Sequence, residues 1–194
     1  SYKNGVKVLS VIIATYNRSK VLKENLEKFK QQTDKDFEVI VAIDGSTDDT
    51  IQMLGNFESD FDIKWVNTEE TYKYCLAKAR NMGLVECSGE AVVILDDDSF
   101  PTPDFVMAHK KSVRQRVLTG GCGMFSERFE GYGGCGQEFF HRLAYLGYGY
   151  QFNPNAMIYH HKEFEGDNGL TREMKTEQAR EMSKMINKHA WSYR

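Results

Sequence analysis

Three short, almost entirely apolar runs rich in β-branched residues constrain the fold of this chain more than any other feature. They occupy residues 8–14, 37–43 and 91–95. A strand with one face in water alternates apolar and polar residues, whereas a strand covered on both faces reads as a continuous apolar run. Such covered strands are typical of parallel sheets with helices packed on each side. The runs therefore predict the central strands of a parallel sheet.

Helical periodicity fills the intervals between these runs. The predicted helices lie within residues 21–29, 51–54 and 72–85, from Pro103 and Asp104 to about residue 117, and over residues 171–189 as an amphipathic terminal helix. The alternation of strand and helix predicts a single α/β domain of Rossmann-like type. Its mostly parallel central sheet would be flanked by helices.

Length and composition fit one globular domain. The chain has 194 residues, of which 41% are hydrophobic and 27% charged, and its formal net charge is −3. This charge argues against nucleic acid as a partner. No apolar run approaches the ~20 residues of a membrane span, and the first residues lack a signal-peptide pattern. Four cysteines without a CxxC pair indicate reduced thiols. These features predict a cytoplasmic domain, and membrane association through segments outside this chain is left open.

The most informative polar segment is the run of Asp96, Asp97 and Asp98, which directly follows the third apolar run. Crowded carboxylates repel one another unless a cation or solvent compensates them. Mg²⁺ and Mn²⁺ bind carboxylate oxygens and keep positions open for phosphate oxygens. The place of this run at a strand end favours a metal site. The alternative is a solvated turn that caps the next helix.

A second acidic segment, DGSTDD at residues 44–49, follows the second apolar run. The carboxyl ends of parallel strands lie at one edge of a sheet, where open α/β folds bind their ligands. Both acidic segments would then face one ligand. The alternative, which is preferred for this segment in isolation, is a tight turn followed by a helix cap.

Four segments, in order, resemble signatures of glycosyltransferase family 2 and its relatives with the GT-A fold. They are ATYNR at residues 14–18, VAIDGSTDDT at 41–50, ARNMG at 79–83 and LDDDSFPTPDF at 95–105. Together these segments are far more specific than any one of them alone. The resemblance implies one GT-A domain over residues 1–194. Residues 1–98 would form its nucleotide-binding half, and residues 99–194 an acceptor and metal half that includes the terminal helix.

The same resemblance implies roles for individual residues. Asp44 would accept the imide hydrogen of uracil, Arg80 would lie near the phosphates, and Asp98 would bind the metal directly. Asp96 would belong to the metal site and lie near the ribose or the sugar. The implied nucleotide-binding residues are Thr15, Tyr16, Asn17, Asp44, Arg80, Asp96 and Asp97. One departure is Ile43, which stands where many relatives carry a first aspartate.

The run GYGGCGQEFFHRL at residues 131–143 is similar to the carboxy-terminal part of galactosyltransferase-like members. Counting back from Arg142, Cys135 and Gly136 stand where inverting relatives carry Glu-Asp, so the usual catalytic base is missing. Glu138 matches a second acidic position and is the predicted general base for the acceptor hydroxyl. The alternative is a first-turn glutamate favoured by the helix dipole.

The segment PNAMIYHH at residues 154–161 resembles the family segment that ends in a metal-binding histidine. A neutral imidazole suits Mn²⁺ beside carboxylates. His160 is therefore the predicted ligand beside Asp98 and Asp96, with His161 as the neighbouring alternative. The implied cofactor is Mn²⁺ or Mg²⁺.

These features predict a metal-dependent, inverting glycosyltransferase that moves a sugar from a UDP-sugar to a hydroxyl of a glycan or other acceptor. The alternative is a catalytically weak nucleotide-sugar-binding domain of a larger polymerase or complex. A sugar nucleotidyltransferase is disfavoured because the first strand leads into ATYNR rather than a glycine-rich phosphate loop. A dinucleotide oxidoreductase is disfavoured because no GxGxxG motif follows that strand.

Overall fold

The computed structural model describes residues 6–113, 124–125, 127, 135–145, 154–160, 177, 180 and 184. Strands and helices alternate along this part of the chain. The strands are β1 (Leu9–Thr15), β2 (Phe37–Ile43), β3 (Asp62–Asn67), β4 (Ala91–Asp96), β5 (Ser99–Pro101) and β6 (Ile158–His160). The helices are α1 (Ser19–Phe29), α2 (Thr50–Gly55), α3 (Leu76–Glu86), α4 (Phe105–Ser112) and α5 (Cys135–Tyr145).

The first four strands form one parallel sheet in the order β3-β2-β1-β4. In its register, Leu9 of β1 pairs with Phe37 of β2 and with Ala91 of β4. The three strands predicted from apolar runs are β1, β2 and β4, and their bounds differ from the prediction by at most one residue. The parallel α/β fold expected from the sequence is therefore confirmed.

Strand β3 was not among the predicted strands. It lies at one edge of the sheet, beside β2, and its residues are exposed or half-buried. Asp62, Lys64 and Asn67 interrupt its apolar residues. An edge strand needs no continuous apolar run because solvent meets part of its surface. The sequence of β3 therefore resembles that of a polar loop more than that of a buried strand.

The hydrophobic core fills both faces of the sheet. On one face, Leu22, Leu26 and Phe29 of α1 are fully buried in a cluster with alternate residues of β1 and β2. The other face includes Ile12, in a second cluster with residues of α3. Helix α3 comes close to the sheet at Gly83, where a Cβ atom would lie 3.1 Å from Ile12 Cγ2. Burial of each large apolar side chain contributes ~2 kcal/mol, so this packing fixes β1 between two helical layers.

A buried glutamate joins the strands near their amino ends. Glu38 is 3% exposed. Its Oε1 accepts hydrogen bonds from Ser10 Oγ and Ser88 N, both at 2.6 Å, and its Oε2 accepts one from Lys64 Nζ at 2.9 Å. Burial by itself would raise the pKa of Glu38, but these hydrogen bonds outweigh it and lower the pKa to about 2. The network holds the α3–β4 connection against β1 and β2.

A short antiparallel pair returns the chain to the acidic end of the sheet. Strand β5 begins directly after Asp98, and its Ser99 pairs with His160 of β6. The pairing continues beyond β5, where Thr102 N donates to the carbonyl of Met157 at 3.1 Å. This register places His160 beside the end of β4.

Helix α4 is shorter than predicted. It ends at Ser112, because the next residue, Val113, is extended with ψ of 105°. The Ser112 hydroxyl donates to the carbonyl of His109 at 3.0 Å, a local bond that is typical of helix ends. The predicted terminal helix at residues 171–189 lies outside the described residues, except for Glu177, Arg180 and Lys184, which are helical. None of the helices in the described segments is long and apolar enough to cross a bilayer.

Candidate active site

The order of the strands creates a crevice beside β1. The chain passes from β1 to β2 and β3 on one side, and then returns to β4 on the other side of β1. Connections diverge at such a switch point and leave room for a ligand at the carboxyl ends of the strands. Strand β1 ends at Thr15 and β4 ends at Asp96. The polar residues that follow these two strands therefore meet at the crevice.

The acid turn, residues Asp96 to Ser99, connects β4 to β5. Within it, Asp97 is 3% exposed. Asp97 Oδ1 accepts from Arg18 Nη1 at 2.7 Å, and its Oδ2 accepts from Thr15 Oγ1 at 2.8 Å. Burial raises the pKa of Asp97 to about 6, although Arg18 and Thr15 act in the opposite direction. Asp97 and Thr15 thus contact each other, and the contact of either one with a nucleotide stays a prediction.

The next carboxylate of the acid turn faces both a guanidinium and an imidazole. Asp98 Oδ2 accepts from Arg18 Nη2 at 3.1 Å, and Asp98 Oδ1 lies 3.5 Å from His160 Nε2. The Asp98 side chain is 14% exposed and the His160 side chain 66% exposed. Two residues predicted as metal ligands therefore lie together, with the histidine on the open side.

The first carboxylate of the acid turn is the most exposed of the three. The Asp96 side chain is 66% exposed, and its Oδ1 accepts from Arg80 Nη2 at 3.0 Å. The Arg80 guanidinium also lies 5.6 Å from the centre of the Phe125 ring. The structure thus brings Asp96 and Arg80 together at the rim of the crevice.

The loops that follow β1 and β2 are joined by Asn17. Its Oδ1 accepts from Thr47 N at 2.7 Å and from Asp48 N at 3.3 Å, and its own N–H donates to Ser46 Oγ at 2.9 Å. The backbone of Asn17 has φ of 50°, a left-handed conformation that asparagine tolerates better than most residues. Tyr16 is half-buried beside it. Asn17 therefore orders the loops as well as being a predicted nucleotide-binding residue.

The acidic residues at the end of the second segment serve helix starts. Asp48 Oδ2 accepts from the backbone N–H of Ser19 at 3.0 Å, and Asp48 Oδ1 accepts from that of Thr50 at 3.2 Å. Asp49 accepts a hydrogen bond from Ser19 Oγ. Free N–H groups at a helix start are stabilised by such acceptors. The helix-cap alternative thus describes Asp48, and these two residues are not metal ligand candidates.

The first residue of that segment is fully buried. Asp44 is 0% exposed. Its Oδ2 accepts from Cys75 N at 2.8 Å, and its Oδ1 accepts from Thr68 Oγ1 at 3.3 Å. Burial raises the pKa of Asp44 to about 6, against the effect of these hydrogen bonds. Gly45 follows with φ of +66°, and a Cβ there would collide with the Glu70 carbonyl, so the loop after β3 covers this position.

The predicted base lies in a separate cluster on α5. Glu138 is 4% exposed, and its carboxylate pairs with Arg142, from Nε to Oε1 at 2.8 Å and from Nη2 to Oε2 at 2.7 Å. Phe139 stacks on Phe125 with ring centres 4.5 Å apart. Asn81 of α3 fixes Phe125 by hydrogen bonds to its N–H and its carbonyl, both at 2.8 Å. Arg80, which contacts both Asp96 and Phe125, connects this cluster to the acid turn.

The family model described as Glycosyl transferase family 2 matches residues 10–165 of this chain. The chain belongs to glycosyl transferase family 2. This match includes the acid turn, α5 and His160, and it confirms the family that the four segments indicated.

Individual relatives support the same assignment of this family 2 chain. Chondroitin synthase of Escherichia coli is 41% identical over 102 residues, which are 52% of this chain and 15% of the relative. Validoxylamine A glucosyltransferase of Streptomyces hygroscopicus subsp. jinggangensis is 36% identical over 129 residues, 63% of this chain and 30% of the relative. The chain therefore spans less than a third of either relative.

A solved structure confirms the GT-A fold of this family 2 chain. A mannosyltransferase from Pyrobaculum calidifontis, in complex with GDP-Man and Mn²⁺, superposes with a TM-score of 0.67 at 21% identity. The superposition covers 80% of this chain and 57% of the mannosyltransferase.

The acid turn of this family 2 domain fits a divalent cation through two protein ligands. Within the segments that the structure describes, no three acidic, histidine or cysteine side chains converge on one point. Mg²⁺ and Mn²⁺ commonly take one or two protein ligands and complete their coordination with water and substrate phosphates. The oxygen and nitrogen atoms of Asp98 and His160 are suitable donors for such an ion. The residues present therefore fit a metal shared with a diphosphate.

Two residues of the site were not predicted from the sequence. Arg18 lies within the ATYNR segment, where its charge could have indicated a partner for the acids. Asn25 lies on the buried stripe of α1 and is 0% exposed, and its Nδ2 donates to the carbonyl of Asp97 at 2.8 Å. The sequence signal for Asn25 was its polar side chain at a position of the helical pattern where the other residues are apolar. Its partners lie more than seventy positions along the chain, so only the fold reveals them.

Proposed function

We propose that this domain transfers a sugar from a UDP-sugar to a hydroxyl group of a glycan or other acceptor, with Mn²⁺ or Mg²⁺ held by Asp98 and His160. The observation that carries the proposal is the 3.5 Å approach of Asp98 Oδ1 to His160 Nε2 at the switch point of a family 2 fold. The bound cation would stabilise the negative charge that develops on the departing diphosphate.

The carboxyl ends of the strands supply the groups that would bind the donor. Asp44 would accept the imide hydrogen of uracil, which requires the loop after β3 to move aside because Asp44 is 0% exposed in this structure. Thr15, Tyr16 and Asn17 would form the adjoining wall. Asp96, with its exposed side chain, would contact the ribose or sugar. The two carboxylate oxygens of Asp97 already accept hydrogen bonds from Arg18 and Thr15. Asp97 would therefore act on the nucleotide indirectly, through these two residues. Arg80 would lie beside the phosphates, where its charge favours their binding.

Glu138 is the proposed base. In the proposed step, the acceptor oxygen attacks the anomeric carbon while the bond to the diphosphate oxygen breaks, and its electron pair leaves with UDP. The hydroxyl proton passes to the Glu138 carboxylate, and the anomeric configuration inverts. Because both Glu138 oxygens accept bonds from Arg142, one of them must turn away from the guanidinium to reach the acceptor. An enzyme of this kind would therefore reorganise α5 on acceptor binding.

A second candidate function is a catalytically weak nucleotide-sugar-binding domain of a larger polymerase. The burial of Glu138 in its ion pair favours this candidate, because an occupied carboxylate is a poor base. Gly136 also favours this candidate, because the resemblance places the catalytic aspartate of inverting relatives at that position. The chain also spans only part of its relatives, including 15% of a chondroitin synthase.

Calorimetric titration with nucleoside diphosphates, with Mn²⁺ or with a chelator, tests donor binding. Tight binding of UDP only in the presence of metal is expected, and UDP should exceed GDP and CDP. Absence of binding of any nucleotide, with or without metal, would exclude both candidates. Transfer assays with UDP-sugars then separate them: turnover that is lost in Glu138→Gln with donor binding retained supports the enzyme, whereas binding without turnover supports the weak domain.

A further inference from the structure

Asn25 occupies an unusual place in the fold. It lies on the buried stripe of α1, whose other members are Val21, Leu22, Leu26 and Phe29, and it is 0% exposed. An amide buried among apolar side chains costs free energy unless hydrogen bonds compensate it. Its Oδ1 has no hydrogen-bond partner among the described residues. The compensation must therefore come from its Nδ2.

The Nδ2 group donates to the backbone of the acid turn. Its acceptors are the carbonyl oxygens of Asp97 at 2.8 Å, Ser99 at 3.2 Å and Asp96 at 3.4 Å. The opposite amide orientation would place an oxygen against three carbonyl oxygens, so the chemistry of the acceptors fixes which end faces the turn. One side chain thus holds the backbone on both sides of Asp98.

This backbone determines where both proposed metal ligands lie. Asp98 is the residue between two of the bonded carbonyls, those of Asp97 and Ser99. Ser99 also begins β5, and it is the residue that pairs with His160. A shift of the acid turn would therefore move the Asp98 carboxylate and the strand partner of His160 together.

We propose that Asn25 is a positioning residue that holds the acid turn in its metal-binding conformation through backbone hydrogen bonds. The proposal rests on the proposed role of Asp98 and His160 as metal ligands. Asn25 contacts neither the metal nor the nucleotide, and it acts through the position of Asp98. Partners of metal ligands that act in this indirect way commonly change metal affinity by about 10- to 100-fold when they are substituted.

Asn25→Leu tests the proposal because leucine has a similar volume, suits the apolar stripe and removes the donor. The expected result is metal-dependent UDP binding about 10- to 100-fold weaker than wild type by calorimetry. The urea unfolding midpoint should fall, because the carbonyl groups of Asp97 and Ser99 lose their buried donor, but by no more than in a control variant that loses a buried amide elsewhere. Asn25→Ser keeps one donor and is the second variant if the leucine variant is insoluble. An intermediate affinity is expected for it.

Gln32→Met is the matched control. Gln32 is also a buried amide, in the connection that follows α1, and it holds backbone beyond the acid turn, at the Thr102 carbonyl (2.7 Å) and the Val106 N–H (3.0 Å). Its substitution should lower stability and leave metal-dependent UDP binding unchanged.

The outcomes distinguish this proposal from the proposed function. A wild-type domain without metal-dependent UDP binding would overturn both. Normal wild-type binding that Asn25→Leu and Asn25→Ser retain in full would overturn the positioning role alone. An equal loss of affinity in Gln32→Met would also overturn it, because the effect would then reflect general loosening of the fold.

Discussion

Arg18 joins two neighbouring carboxylates of the acid turn, with Nη1 at 2.7 Å from Asp97 Oδ1 and Nη2 at 3.1 Å from Asp98 Oδ2. One guanidinium therefore neutralises a buried acid and orients an adjacent one. Arg18 binds Oδ2 of Asp98, and the Oδ1 atom of the same carboxylate faces His160. Asp97 thus belongs to a buried ion pair, whereas Asp98 has the proposed metal-binding role.

Asp98→Ala should abolish metal-dependent UDP binding and leave the fold intact. The substitution removes a proposed metal ligand, and the effect should exceed the ~10-fold loss that follows removal of an indirect partner. Calorimetry with Mn²⁺ measures the affinity, and circular dichroism monitors the fold. Asp60→Ala, at an exposed aspartate paired with Lys35, is the control and should bind normally. Unchanged binding by Asp98→Ala would remove Asp98 from the metal site.

Arg18→Gln should destabilise the folded domain. Removing one partner of a buried ion pair commonly costs ~3 kcal/mol, because the other charge remains buried. Here the remaining carboxylate is Asp97, whose side chain is 5% exposed. Urea unfolding measures the change. Lys35→Gln breaks the exposed pair with Asp60 and should cost far less, because water already solvates both charges. Equal effects of the two substitutions would contradict the structural role of Arg18.

Glu38→Gln should reduce stability in a pH-dependent manner. The folded-state pKa of Glu38 lies near 2, below the ordinary value of 4.5 for a glutamate. The charged form therefore stabilises the fold above about pH 4.5, and this contribution disappears as the pH falls toward 2. At neutral pH the difference in unfolding free energy from wild type should approach ~3 kcal/mol. Urea unfolding at several pH values measures it.

The serine that binds Glu38 provides a comparison. Ser10→Ala removes one of the hydrogen bonds that lower the Glu38 pKa. It should produce a smaller loss of stability with the same dependence on pH. A loss in Glu38→Gln that is constant from neutral to acid pH would contradict this account of the network.

Gly136→Asp should leave transfer activity close to that of wild type if Glu138 is the base, because the hydroxyl proton already has an acceptor. The resemblance of the α5 segment implies an aspartate of inverting relatives at position 136, and a Cβ at Gly136 would meet no further atom of the described residues within 4 Å. The helix can therefore accept the side chain. General-base catalysis is worth ~10²- to 10⁴-fold, so a rise of tenfold or more would contradict the role of Glu138 and indicate that the wild-type domain lacks a base. Initial rates with a UDP-sugar measure it, with Gly136→Asn as the control. A rise in both variants would exclude a base effect.

The central strands could be predicted because β1 and β2 are buried along their entire length, which leaves only apolar choices at most positions. The acid turn could be predicted because three consecutive carboxylates at a strand end have few structural explanations. Strand β3 could not, since its exposed residues carry little pattern. Family resemblance, rather than periodicity, indicated His160, whose strand has three residues and is exposed.

The pairing of individual site residues depended on the fold. Thr15 was predicted to contact a nucleoside, and the structure adds its hydrogen bond to Asp97. Nothing in a linear sequence relates these two residues, because their proximity follows from the parallel register of β1 and β4. The ion pair of Glu138 with Arg142, by contrast, joins residues four positions apart on α5, a spacing that the sequence itself shows.

The antiparallel contact of β5 with β6 also has a thermodynamic consequence. Asp98 and His160 are separated by about 60 residues of chain, and an ion bound to both would act as a reversible cross-link that closes this loop. In the unfolded ensemble such a closure restricts many conformations, whereas in the native state the ends are already adjacent. Binding of the ion and the donor in the crevice would thus link the segment that contains His160 to the segment that contains Asp98. Donor binding and completion of folding would then stabilise each other.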